Sequence, residues 1–70
     1  MGKLTILDDT GDTQLAWRQE DIQQVQDAEM VFGEMILSGY FAIGNKSGKI
    51  MDKFDPEEDE ITMMPMLEGG

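Results

Sequence analysis

Seventy residues with 40% hydrophobic content make one small domain, close to the lower size at which a core holds itself without staples. The absence of cysteine and histidine excludes disulfides, thiol nucleophiles and the imidazoles that most often serve as general bases and metal ligands. Fifteen acidic residues against five basic ones leave a formal charge of −10, which repels nucleic acid and anionic membranes and steers basic protein surfaces toward the chain.

Residues 3–8 alternate as a strand, with Leu4 and Ile6 on one face and Thr5 and Leu7 on the other. A turn, Asp8-Asp9-Thr10-Gly11-Asp12, follows. Asp and Thr make local side-chain hydrogen bonds there, and Gly11 tolerates positive φ. Residues 13–18 alternate again, Leu15 and Trp17 on one side and Gln14, Ala16 and Arg18 on the other. Two strands across so short a turn form an antiparallel hairpin. Asp21, with Gln24 three residues on, resembles a capping box and opens a helix over residues 21–38. Ile22, Val25, Ala28, Phe32, Met35 and Ile36 fall at spacings of three and four and line its core face, while Gln23, Gln26, Asp27 and Glu34 point to water. Gly33 costs up to about 1 kcal/mol inside a helix relative to alanine; close packing on a sheet is one explanation, which the sequence does not decide. Gly39 is placed to end the helix at positive φ.

Residues 40–44 form the next strand, Asn45-Lys46-Ser47-Gly48 a turn, and residues 49–54 a shorter, more polar strand that suits a sheet edge. The acidic run Asp55-Pro56-Glu57-Glu58-Asp59-Glu60 has the composition of a loop or a single helical turn. It lacks the ligand spacing and central glycine of an EF-hand calcium loop. Residues 61–64 are apolar on both faces, as befits a buried central strand. Pro65 is expected to stop the pairing, and the stretch closes on Gly69 and Gly70, whose bare main chain suits a narrow slot.

The fold class that follows is α+β, a mixed sheet of four to five strands packed on one helix, with the last strand central and beside the first. Leu4, Ile6, Leu15, Trp17, Val25, Phe32, Ile36, Ile43, Ile61 and Met63 form the expected core. Residues 1–66 are the expected domain and residues 67–70 an expected flexible tail, in which Gly69 and Gly70 should be mobile. No apolar run has the length of a membrane span, and no basic stretch followed by an apolar one opens the chain, so the expected location is the cytoplasm.

This order of elements, together with the diglycine, resembles the β-grasp ubiquitin-like superfamily. Leu4-Thr5-Ile6, Thr10-Gly11 and Thr13 resemble the opening hairpin of ubiquitin. The ending Met64-Pro65-Met66-Leu67-Glu68-Gly69-Gly70 is similar to those of bacterial sulfur carriers, namely the small molybdopterin synthase subunit and the thiamine-pathway carrier. Where this chain has Glu68, the carriers often have a smaller residue. The resemblance implies a substrate and not an enzyme. An activating enzyme uses MgATP to adenylate the Gly70 carboxylate, and the acyl group passes to sulfur as a thiocarboxylate or a thioester. No cofactor is bound by the chain itself. The implied partners are that adenylating enzyme and either a sulfur-acceptor enzyme or, for a bacterial ubiquitin-like modifier, a conjugation target. Gly69 and Gly70 are the activated end, and Met64, Pro65, Met66 and Leu67 a candidate docking surface, since methionine adapts to irregular contacts. Two other classes stand beside this reading. One is a non-covalent acidic binding module on the same fold, with Asp27 and Glu34 meeting a basic partner. The other is a small enzyme working with paired carboxylates, for which no residue is placed as a nucleophile. Neither nucleic acid nor a membrane is an expected partner, and no metal site is expected.

Overall fold

A computed structural model describes residues 1–8 and 11–66. The elements form in the expected order: β1 (Gly2–Asp8), β2 (Gly11–Trp17), α1 (Ile22–Leu37), β3 (Tyr40–Gly44), β4 (Ile50–Met51) and β5 (Glu60–Pro65). They make one five-stranded sheet in the order β2-β1-β5-β3-β4. β1 and β5 run parallel, and the other neighbours pair antiparallel. A mixed sheet carrying one helix in this order is an α+β fold in a ubiquitin-like β-grasp arrangement. β5 lies at the centre, flanked by β1 and β3, because a strand apolar on both faces gains most where neither edge is open. Among the described residues, no helix is long and apolar enough to cross a membrane.

The hairpin pairs along its whole length, from Gly2 opposite Trp17 to Asp8 opposite Gly11. Gly11 has φ 128°, a conformation that residues with a Cβ rarely adopt. Asp9 and Thr10 lie outside the described residues. At the start of α1, the Gln24 N–H donates to Asp21 Oδ1 at 3.2 Å. The reciprocal half of the capping box is redirected, for Gln24 Oε1 accepts from the Arg18 N–H at 2.8 Å. The Asp21 N–H is already engaged by the Arg18 carbonyl at 2.9 Å. At the other end, Gly39 takes φ 96° and its N–H donates to the Ile36 carbonyl, closing the helix as expected.

The core between helix and sheet holds Leu4, Ile6, Trp17, Ala28, Phe32, Ala42, Ile61 and Met63, with Leu15, Val25 and Ile36 packed partly buried against it. Each large side chain so buried contributes about 1.5–3 kcal/mol. Ile43 is not among them. It stands opposite Thr62 on the face away from the helix, and its neighbour Ala42, opposite Met63, takes the inward place. In a strand apolar at successive positions, alternation does not mark which face is buried. Ile22, expected on the core stripe, is exposed at the edge of the helix's first turn.

One further expectation is corrected, and one explanation left open is ruled out. The strand over residues 49–54 shrinks to Ile50–Met51. Phe54 turns inward instead, meeting Trp17 edge-on with ring centroids 5.0 Å apart and Phe32 at 5.8 Å. Burying an aromatic ring between two others outweighs extending an edge strand. Gly33 does not pack closely on the sheet, since a Cβ there would meet nothing within 4 Å.

Candidate functional site

The tail-side candidates are positioned by β5. Met64 sits opposite Phe41 and Pro65 opposite Tyr40. Met64 is half-buried on the helix-free face, while Pro65 and Met66 are exposed. Pro65 does not stop the pairing: the Met66 N–H donates to the Gly39 carbonyl at 3.1 Å, one step beyond it. Opposed residues in an antiparallel ladder alternate between exchanging hydrogen bonds and exchanging none. With Met66 bonded to Gly39, Pro65 falls at a non-bonded position, and its missing N–H is not required by β3. On the other side, the β1 register ends earlier, at Ile6 opposite Met63. A proline is tolerated at such a place. Leu67, Gly69 and Gly70, the remaining predicted site residues, lie outside the described residues, as does the expected mobility of the diglycine.

Met64 is not isolated. A shallow depression lined by Leu7, Asp8, Met64 and Pro65 lies beside the end of the hairpin. Across β3, the helix-free face continues through Phe41 and Ile43 to Ile50, which is largely exposed. Sequence reasoning missed this apolar group because it assigned Ile43 to the core. Phe41 and Ile43 at alternate positions were the available signal.

The acidic run is divided among separate structural tasks. Asp55 Oδ1 accepts the Glu57 N–H at 3.0 Å, and the Glu58 N–H donates to the Asp55 carbonyl at 3.1 Å, which makes the turn around Pro56. Glu58 is buried and its Oε1 accepts the Lys46 N–H at 2.9 Å. Its other oxygen lies 2.6 Å from where a Cβ on Gly44 would stand, so Gly44 makes room for the carboxylate. Glu60 pairs with Lys3 at 3.3 Å on the helix-free face. Among the described residues, no group of three or more acidic side chains converges as a metal site. Elsewhere, the Glu20 carboxyl is held below its ordinary range, first by a hydrogen bond from its own backbone and then by the Arg18 guanidinium 3.1 Å away. That pair is fully solvated and adds little to stability.

No protein-family model, curated protein or solved structure matches the chain. The functional reading rests on the fold and on the residues themselves.

Proposed function

We propose that the chain is a small carrier whose Gly70 carboxylate is activated by a separate adenylating enzyme. The observation that carries this reading is the placement of β5. The central strand of the sheet leads out past Pro65 and Met66 toward the diglycine, with the exposed Met66 and the half-buried Met64 beside its exit. In the first step, the Gly70 carboxylate attacks the α-phosphate of ATP held with magnesium by the enzyme. Pyrophosphate leaves and an acyl adenylate forms. A sulfur nucleophile then displaces AMP, giving a thiocarboxylate for sulfur transfer or a thioester that passes to a lysine of a target. The catalytic groups and MgATP belong to the partner, and the chain supplies the acyl end and the surface around Met64, Pro65, Met66 and Leu67. Pro65 in the ending favours the sulfur carrier over the conjugated modifier. A cytoplasmic location fits either use.

The test is intact mass after incubation with the cognate activating enzyme, MgATP and a sulfur donor. A free carboxylate at Gly70 is checked first on the untreated protein. Exchange of one oxygen for one sulfur identifies a carrier, and gain of a whole target protein identifies a modifier. Deleting Gly69 and Gly70 is expected to abolish either product, and Gly70→Ala to impair it by adding a Cβ in the enzyme's slot. If neither product forms and the tail-deleted protein still performs its cellular role, the carrier reading fails. The chain is then the non-covalent module, a reading favoured by the exposed apolar and acidic side chains of α1.

A further inference from the structure

Met30, Gly33 and Leu37 fall three and four residues apart on α1 and share one stripe of the helix. Neither the core nor the tail uses that stripe, with Met30 64% and Leu37 90% exposed. Gly33, between them, is the poorest helix former after proline, and a Cβ there would meet nothing within 4 Å. An alanine would therefore fit without collision. The structural effect of glycine here is to keep the surface low between two exposed apolar side chains. With Ile36 and Phe54 at its base, the stripe forms one side of an open groove of about 640 Å³, closed on the other by residues 52–54.

Charge selects the occupant. Glu29, Glu34 and Asp52 line the groove against the single cation Lys53. The side-chain ion pairs among the described residues, Lys3 with Glu60 and Arg18 with Glu20, involve none of these four. On a chain of net charge −10, a second copy would set one acidic rim against another. We infer that this groove receives a basic amphipathic helix from a partner protein. Its apolar side chains lie along Met30, Gly33 and Leu37, and its flanking Lys or Arg residues reach Glu29, Glu34 and Asp52. From Met30 to Leu37, α1 rises about 10.5 Å at 1.5 Å per residue. That is two turns, the length over which a docked helix sets anchors at i, i+3 or i+4, and i+7. Gly33 lets the middle anchor approach the backbone of α1. The site uses none of residues 64–70 and stands independently of the carrier reading.

The probe is a synthetic peptide of about 15 residues, long enough to become helical on binding, with leucine at the anchor positions and lysine elsewhere. The control has the same composition in scrambled order. Amide chemical-shift changes are expected to gather on Met30, Gly33, Leu37 and residues 52–54. The amphipathic peptide should bind at least about tenfold tighter than the scrambled one. Gly33→Leu fills the groove and Leu37→Lys turns its apolar end basic, so each should weaken binding at least about tenfold. Melting should be preserved, because Leu37 is exposed and a Cβ at position 33 is unopposed. Equal affinity for the two peptides would reduce the groove to unspecific charge attraction and overturn the inference. So would shift changes on the helix-free sheet face, or undiminished binding by Gly33→Leu. Concentration-dependent dimers in sedimentation that Gly33→Leu abolishes would place a second copy in the groove and overturn it as well.

Discussion

At one end of the sheet, β1 begins, β2 finishes, and the chain is tied across long sequence separations. Trp17 is fully buried there, packs against Gly2 so closely that a Cβ would enter the indole ring, and meets Phe54 edge-on. Its Nε1–H donates to the Pro56 carbonyl at 3.1 Å, and the Gln19 side chain donates to the same oxygen. Glu58 is locked under Gly44 nearby. At the opposite end, β5 leaves beside Gly39, whose carbonyl accepts the Met66 N–H, and Met66 is 62% exposed. The difference separates a firmly tied end from a lightly tied one. A domain this small has few kcal/mol to spare, and it concentrates them away from the end where the chain runs toward the diglycine. That end is expected to open locally without unfolding the rest.

The comparison breaks most readily at Trp17. Trp17→Ala removes the largest buried side chain, its aromatic partner and the indole donor to Pro56. A loss of about 3–5 kcal/mol is expected, enough to populate the unfolded state heavily, and urea denaturation measures it. A loss below about 1 kcal/mol, the size of an ordinary substitution, would mean that this end is not the anchor.

Glu58→Ala comes next, because the half-buried hydrogen bond from the Lys46 N–H loses its acceptor and the space beneath Gly44 empties. A cost of about 1.5–3 kcal/mol is expected. Glu58→Gln keeps an oxygen for the same N–H and should cost clearly less by the same denaturation measurement. Equal losses would assign the effect to charge and not to the hydrogen bond. Gly2→Ala follows, at about 1–3 kcal/mol for forcing the indole aside. In a Trp17→Leu background that cost should largely vanish, since residues in contact are coupled. An undiminished cost in the double-mutant cycle would place the strain somewhere other than the indole.

Much of this was legible in the residues. Asp21 and Gly39 bracketed the helix because capping chemistry is local, and the β1–β2 hairpin followed from alternation around a short turn. The central place of β5 followed from its two apolar faces. What escaped depends on contacts far apart in sequence. Phe54 ends β4 because Trp17 and Phe32 offer it a pocket, and no property of residues 49–54 announces that. Glu58 looked like one acidic residue in a solvated run, and only the fold brings it to Gly44 and Lys46. Ile43 and Ala42 exchanged faces because neighbouring apolar residues leave the phase of a strand unmarked. At the candidate site, the continuation of pairing to Met66 was not legible, because it depends on where Pro65 falls in the β3 ladder.

The smallest expected effect lies at the end where β5 leaves the sheet, and there a null result carries the information. Met66 packs little, so Met66→Ala should change stability by no more than about 0.5 kcal/mol, the range of ordinary surface positions. Its backbone tells more. The Met66 N–H bonds at the last rung of the β3–β5 ladder, and its acceptor, Gly39, is exposed. When that bond opens, water can take both partners, so opening should cost far less than unfolding the sheet. The β1–β5 pairs from Leu4 opposite Ile61 to Ile6 opposite Met63 lie in the buried centre and open only with the whole domain. Native-state hydrogen exchange should therefore show Met66 exchanging through a local opening whose free energy is insensitive to urea. The central amides should follow the global unfolding slope. Protection of Met66 equal to that of the central pairs would mean that both ends of the sheet are fixed alike. A chain anchored in that way would lose the freedom that delivery of Gly70 into an enzyme's slot requires, and the carrier reading would weaken with it.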